Sequence, residues 1–156
     1  MKKIGYIFLG LFLFVGLAGC SFQTEKYSYD QIVDQNNNAM GKLNSALENN
    51  KDITLVLYRT GCQACEDSKD TIVPYVQTLR QERTNVVVMD LTKLSDYQIN
   101  YLKQLVPDVL VFNNKLASPT VANLRVDSNG KKFKAIQYSN DGNLVHIRKV
   151  LARARG

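Results

Sequence analysis

Residues 53–65 constrain this chain more than any other stretch. Ile53 to Tyr58 is an apolar run of strand length, rich in β-branched residues and interrupted only by Thr54. Such a run fits a strand covered on both faces, as in a parallel sheet. Gly61 follows, then Cys62-Gln63-Ala64-Cys65, and then Ser68, Ile72, Val76 and Leu79 recur at helical spacing. Pro74 lies inside that stripe and predicts a kink. The two cysteines therefore stand where a buried strand turns into a helix. The first helical turn leaves N–H groups unpaired and carries partial positive charge. A thiolate at Cys62 is stabilised there and its pKa lowered. Cys65, one turn deeper on the same side, lies within disulfide reach and can resolve a mixed disulfide.

The chain has 156 residues, the size of one domain with a small appendage. Met1, Lys2 and Lys3 precede residues 4–18, a run of 15 without a charge that leads into Leu17-Ala18-Gly19-Cys20. The run has the length of a signal-peptide core and is short for a membrane span. Its end resembles the lipobox of bacterial lipoproteins, in which the cysteine is acylated and becomes the new N-terminus. That resemblance implies a signal peptide over residues 1–19, lipidation at Cys20, a tether over residues 20–28 and a domain over residues 29–156. It also implies a chain anchored to the cell membrane and facing outside the cytoplasm. The Lys- and Asn-rich composition leans towards a Gram-positive surface.

The formal charge is +6, or +4 once Lys2 and Lys3 are removed, too small a surplus to define a partner class. Arg148, Lys149, Arg153 and Arg155 cluster near the end without interleaved aromatic residues. They read as the solvated face of a last helix, favoured there by its dipole, and not as a nucleic-acid surface. With Cys20 lipidated, Cys62, Cys65 and the single histidine, His146, are the only cysteine and histidine ligands left. A structural zinc site takes four such ligands, so no metal site is expected. Histidine-dependent protease chemistry fails on the same shortage, and copper delivery lacks an identifiable third ligand. A four-residue loop gains little closure entropy, which makes Cys62–Cys65 a poor structural staple. In an exported chain such a pair is free to cycle.

The remaining segments read as further elements. Ser28 with Gln31 suggests a capping box, followed by a helical stripe at Ile32, Val33, Ala39, Met40, Leu43 and Leu47. Residues 86–91 form a second buried-type strand. Leu94, Tyr97, Tyr101, Leu102 and Leu105 mark a third helix capped by Ser95. Residues 120–126 and 132–138 read as strands around Asp127-Ser128-Asn129-Gly130, a strong hairpin signal. A last helix is expected from about Asn143 to Arg153, with Leu144, Ile147 and Leu151 inward. Residues 109–117 fit least well and stand as an irregular or extra-strand insertion. The order implies an α/β domain, a mixed central β-sheet flanked by helices.

The stretch Leu55-Val56-Leu57-Tyr58-Arg59-Thr60-Gly61-Cys62-Gln63-Ala64-Cys65 resembles the active-site strand and turn of thioredoxin-like proteins. The resemblance implies a thioredoxin-like fold and thiol–disulfide exchange with protein substrates, with Cys62 as nucleophile and Cys65 resolving. It implies no cofactor beyond the redox-active Cys62–Cys65 disulfide itself, and a membrane or extracytoplasmic redox partner. It also implies a cis-proline opposite the pair, where backbone groups meet a bound substrate strand. Ser118-Pro119, followed by a strand and the Asn129-Gly130 hairpin, matches that pattern. Pro107, followed by Val109-Leu110-Val111-Phe112, is the alternative. Three positions depart from the family: Gly61 stands where a tryptophan is usual, Val56 where a buried acid often relays a proton, and Gln63-Ala64 is an unfamiliar dipeptide. Glu66, Asp67 or Arg59 are possible electrostatic partners of the thiols. A non-catalytic accessory lipoprotein of a secretion, conjugation or bacteriocin system, keeping the fold as a scaffold, is the competing expectation.

Overall fold

The computed structural model describes residues 27–154. The expected signal peptide, Cys20, most of the tether and Arg155 lie outside the described residues. At the centre stands β1 (Ile53–Tyr58), buried at all six positions. On one side it pairs in parallel with β2 (Val86–Asp90), buried throughout. The helix α2 (Gln63–Gln81) supplies the crossover that a parallel pair requires. It runs through Pro74 without ending there.

On its other side β1 pairs antiparallel with β5 (Thr120–Val126), which forms a hairpin with the edge strand β6 (Phe133–Ser139). The turn between them closes with the Gly130 amide donating to the Asp127 carbonyl, and Gly130 takes the left-handed conformation (φ 67°) that glycine adopts without penalty. The sheet order is β2-β1-β5-β6.

Alternation along each strand divides the core into two layers. Leu55 and Leu57 of β1, with Val87 and Met89 of β2, face α1 (Asn36–Glu48) and α3 (Asp96–Leu105). Val56 and Tyr58, with Val86 and Val88, face α2 and α4 (Leu144–Arg153). The one polar seam between β1, β5 and α4 is satisfied: Thr54 donates to Asn123 at 2.9 Å, and Asn123 donates to the Val150 carbonyl at 2.7 Å. A parallel βαβ unit followed by an antiparallel hairpin and a closing helix, with helices on both faces, is a thioredoxin-like fold.

Three expectations change. The first helix does not run on from Ser28. That hydroxyl caps a short 3-10 turn, Tyr29–Gln31, and α1 starts only at Asn36. Between them Asp34 lies against β2, whose edge is otherwise open. Its N–H donates to the Val88 carbonyl at 3.0 Å, and its carboxylate accepts from the Val88 N–H at 2.9 Å. Arg80 and Lys42 complete the carboxylate's partners at 2.9 and 2.6 Å. Covering a sheet edge took precedence over continuing the helix. In α4, Leu144 is exposed, and Val150 joins Ile147 and Leu151 in the core. In the third stripe Tyr97 points to solvent, although Ser95 and Gln98 complete the expected helix cap.

The segment 109–117 is an ordered insertion. A 3-10 turn, Pro107–Val109, leads into a small hairpin of β3 (Leu110–Val111) and β4 (Lys115–Leu116). Asn113 and Asn114 take left-handed conformations in its turn (φ 63° and 55°). Asparagine tolerates that region better than other residues with a Cβ.

Candidate active site

The site forms where β1 ends. After Tyr58 the chain turns through Thr60 and Gly61 into α2. Gly61 has φ 77°, and a Cβ there meets no atom within 4 Å, so its glycine serves backbone conformation and not space. A larger residue at this position, such as the family's tryptophan, is strained by about 1–2 kcal/mol. The turn leaves Cys62 as N-cap of α2 in extended conformation (φ −87°, ψ 117°). Its sulfur takes the part that a serine oxygen usually plays, accepting from the Cys65 N–H at 3.3 Å.

Both cysteines are free thiols, their sulfurs 2.7 Å apart, with Cys65 donating to Cys62. Cys62 is half-buried, whereas Cys65 is only 1% exposed. Opposite the pair, the Ser118 carbonyl accepts from Cys62 at 3.6 Å and the Ser118 hydroxyl donates to it at 3.8 Å. The Ser118–Pro119 peptide bond is cis. Pro107 lies elsewhere, opening its 3-10 turn, where the neighbouring Asp108 accepts from the Ala135 N–H of β6 at 2.9 Å. A third segment closes the rim. Gly142 (φ 71°) packs so that a Cβ there comes within 3.5 Å of the Ala64 methyl and 3.9 Å of Pro119 Cδ.

The environment separates the two thiols. Burial by itself pushes Cys62 up, but the donors around its sulfur, the Cys65 thiol and N–H, the Ser118 hydroxyl and the Ala64 N–H, bring it below the ordinary cysteine value. Cys65 is pushed up to about 12, first by burial and then by its hydrogen bond to Cys62. The half-buried thiol is prepared to ionise and its buried neighbour to stay protonated.

Of the electrostatic partners considered, only Arg59 reaches a sulfur, and it does so through its backbone, which hydrogen-bonds Cys65. Glu66 pairs with Lys69 at 2.6 Å, Asp67 accepts from Gln63 at 2.7 Å, and Arg59 donates to the Leu116 carbonyl at 3.4 Å. His146 instead meets Asp141 at 2.8 Å. Val56 is fully buried in the same cluster as Cys65. Among the described residues no group of three or more His, Cys, Asp or Glu is arranged to hold a metal ion.

Two features of the site escaped sequence reasoning. Asp90, at the end of β2, is fully buried. It accepts from the Thr60 hydroxyl at 2.6 Å and N–H at 3.3 Å, and from the Thr92 hydroxyl at 2.7 Å and N–H at 2.9 Å. It thereby fixes the turn that presents Cys62. The available signal was an acid closing an apolar run with threonines at 60 and 92. The second feature is Tyr29, stacked on Tyr58 with ring centroids 4.1 Å apart. Its hydroxyl donates to the Cys65 carbonyl at 3.2 Å and lies 3.4 Å from the Ser68 hydroxyl. The first described segment is thus fastened to the active-site helix. Only the unusual density of tyrosines at 27, 29 and 58 hinted at this.

No family model matches the chain, and no curated protein matches it in sequence. Among solved structures it is similar to a thioredoxin from Thermus thermophilus determined in solution. That match has 12% identity and a TM-score of 0.48, and it covers 73% of this chain and 81% of that one.

Proposed function

We propose that this protein is a membrane-anchored, extracytoplasmic thiol–disulfide oxidoreductase acting on polypeptide thiols and disulfides through Cys62 and Cys65. The observation that carries the reading is the asymmetry of the pair: an accessible sulfur at a helix N-cap with its pKa lowered, in contact with a buried thiol whose pKa is raised. Thiol–disulfide exchange requires this division of labour.

In the reducing direction the Cys62 thiolate attacks one sulfur of a substrate disulfide. That bond breaks, and the departing sulfur leaves as a thiolate that takes a proton. Cys65 then loses its proton and attacks Cys62, releasing the second substrate sulfur. Two electrons have passed to the substrate, and the protein holds a Cys62–Cys65 disulfide. The same steps reversed oxidise a substrate dithiol. A separate dithiol or disulfide partner at the membrane resets the pair. Anchoring rests on Leu17-Ala18-Gly19-Cys20 and the uncharged run before it.

The asymmetry is measurable by alkylating the reduced protein with iodoacetamide across pH and locating the adducts by mass spectrometry. Cys62 is expected to react with a midpoint below the ordinary cysteine value of about 8.5, with Cys65 unreactive over the same range. Equal rates at both positions remove the assigned roles.

A further inference from the structure

The insertion between α3 and Pro119 is more than the fold needs. Val109 and Leu116 are buried and Leu110 is partly buried, so they attach the β3–β4 hairpin to the core. The hairpin is also pinned by polar contacts: Asn140 donates to the Val109 carbonyl at 3.3 Å, and Arg59 to the Leu116 carbonyl at 3.4 Å. Phe112 at its tip takes no part in this. It is 87% exposed, the most exposed of the large apolar side chains among the described residues, and the adjacent Val111 is exposed as well. Burying a phenylalanine is favourable, and here that gain is left unused.

The hairpin's position connects it to the chemistry. β4 runs directly into Ala117, Ser118 and Pro119, and the Ser118 carbonyl lies 3.6 Å from the Cys62 sulfur. Val111 pairs with Lys115, so Phe112 opens a tight turn and its Cα lies within about 7 Å of Lys115. Three further residues to Ser118 add at most about 10 Å. Phe112 is therefore within about 17 Å of the residue that touches the reactive sulfur. A standard interface covers about 800 Å² per partner, a disc about 16 Å in radius. A macromolecule with that footprint, about 32 Å across, is wide enough to cover Cys62 and the hairpin together.

We infer that the β3–β4 hairpin, through Phe112, is a docking element for an extended polypeptide substrate carrying apolar side chains some residues away from its reacting cysteine. The inference rests on the exchange function proposed above and names the class of substrate for it. A chain in extended conformation advances about 3.3 Å per residue, so it covers the span from Ser118 to Phe112 within about five residues. A glutathione moiety offers no apolar side chain for Phe112 to hold.

That difference supplies the test. Exchange rates of the reduced intact protein are measured with two substrates. One is glutathione disulfide; the other is a synthetic peptide with a central cysteine in mixed disulfide with glutathione and leucines about five positions to either side. Phe112→Ser is expected to lower kcat/KM for the peptide about tenfold, mainly through KM, with Phe112→Leu retaining most of the rate. Glutathione disulfide should react equally with all three proteins, and the exposed position leaves the melting temperature unchanged. Equal peptide rates for wild type and Phe112→Ser overturn the inference while leaving the exchange function intact, as does an equal loss on both substrates. If Phe112→Ser instead converts a dimer to a monomer in sedimentation with peptide rates unaltered, a second copy is the occupant and the inference fails. A wild-type protein inert to both substrates overturns the exchange function and this inference with it.

Discussion

Replacing Cys65 by serine is expected to arrest the protein as a mixed disulfide on Cys62. The accessible thiolate still attacks a substrate disulfide, but the group that must displace the second sulfur is gone, so the covalent intermediate persists. Turnover should fall by about a thousandfold or more. Cys62→Ser abolishes turnover to a similar extent and traps far less, because Cys65 is buried and its pKa lies far above neutrality. Non-reducing gels of envelope fractions, followed by peptide identification, distinguish the two variants and name the partners. Discrete high-mass bands in Cys65→Ser that disappear with dithiothreitol are the expected result. If Cys65→Ser traps nothing, and a double-serine variant still supports whatever the intact gene supports, the protein is the non-catalytic scaffold.

The second large effect belongs to Asp90. Its carboxylate accepts four hydrogen bonds from Thr60 and Thr92 in a fully buried position. Asp90→Ala leaves those donors without an acceptor, at a cost of about 3 kcal/mol. For a chain of this size that lowers the melting temperature by about 6–12 °C. Because Thr60 lies two residues before Cys62, exchange should also slow by about tenfold in the folded variant. Lys93, 3.8 Å away, is a minor partner.

Asp90 also sets an acid limit. Burial alone pushes its carboxyl up, but the hydrogen bonds from Thr60 and Thr92 outweigh burial and hold it below the usual carboxylate range. A group whose pKa is lower folded than unfolded contributes stability that is complete above the unfolded value, about 4, and lost as pH falls towards the folded value. Asp141, lowered to about 2 by the Asn143 N–H and by His146, acts in the same direction. The difference between wild type and Asp90→Asn in denaturation from pH 6 to pH 2 isolates the Asp90 part, and that difference should shrink as pH falls.

The strands that place the site were legible because their signals are local and redundant. Ile53 to Tyr58 and Val86 to Met89 are apolar on both faces apart from Thr54, and Asn129-Gly130 closes a hairpin by itself. The Cys62–Cys65 motif and the Ser118-Pro119 step were readable for the same reason, each standing next to a strand. What was misread depends on contacts distant in sequence. Nothing near Asp34 announces that it covers the edge of β2, so the sequence pattern places the start of the first helix earlier than Asn36. The apolar stretch at 109–112 hid a hairpin whose strands are two residues long, although Asn113-Asn114 was a usable turn signal. Asp90 reads as one more position of the strand over residues 86–91, because an acid's role in holding a turn 30 residues away leaves no periodic trace. Val56 stands where thioredoxin-like proteins often carry a buried acid, and here a different strand supplies the buried carboxylate, directed at the turn and not at the resolving thiol.

The central claim, that Cys62 and Cys65 form a working redox pair, is tested most directly by equilibrating the intact protein in glutathione buffers of graded potential. Free thiols are then counted at each point after acid quenching. The account predicts one two-electron transition between dithiol and Cys62–Cys65 disulfide, with a midpoint in the range of about −120 to −270 mV spanned by catalytic pairs. A bridge that stays oxidised below about −300 mV marks a structural disulfide. That result, or thiols that never close into a bridge at the oxidising end, contradicts it.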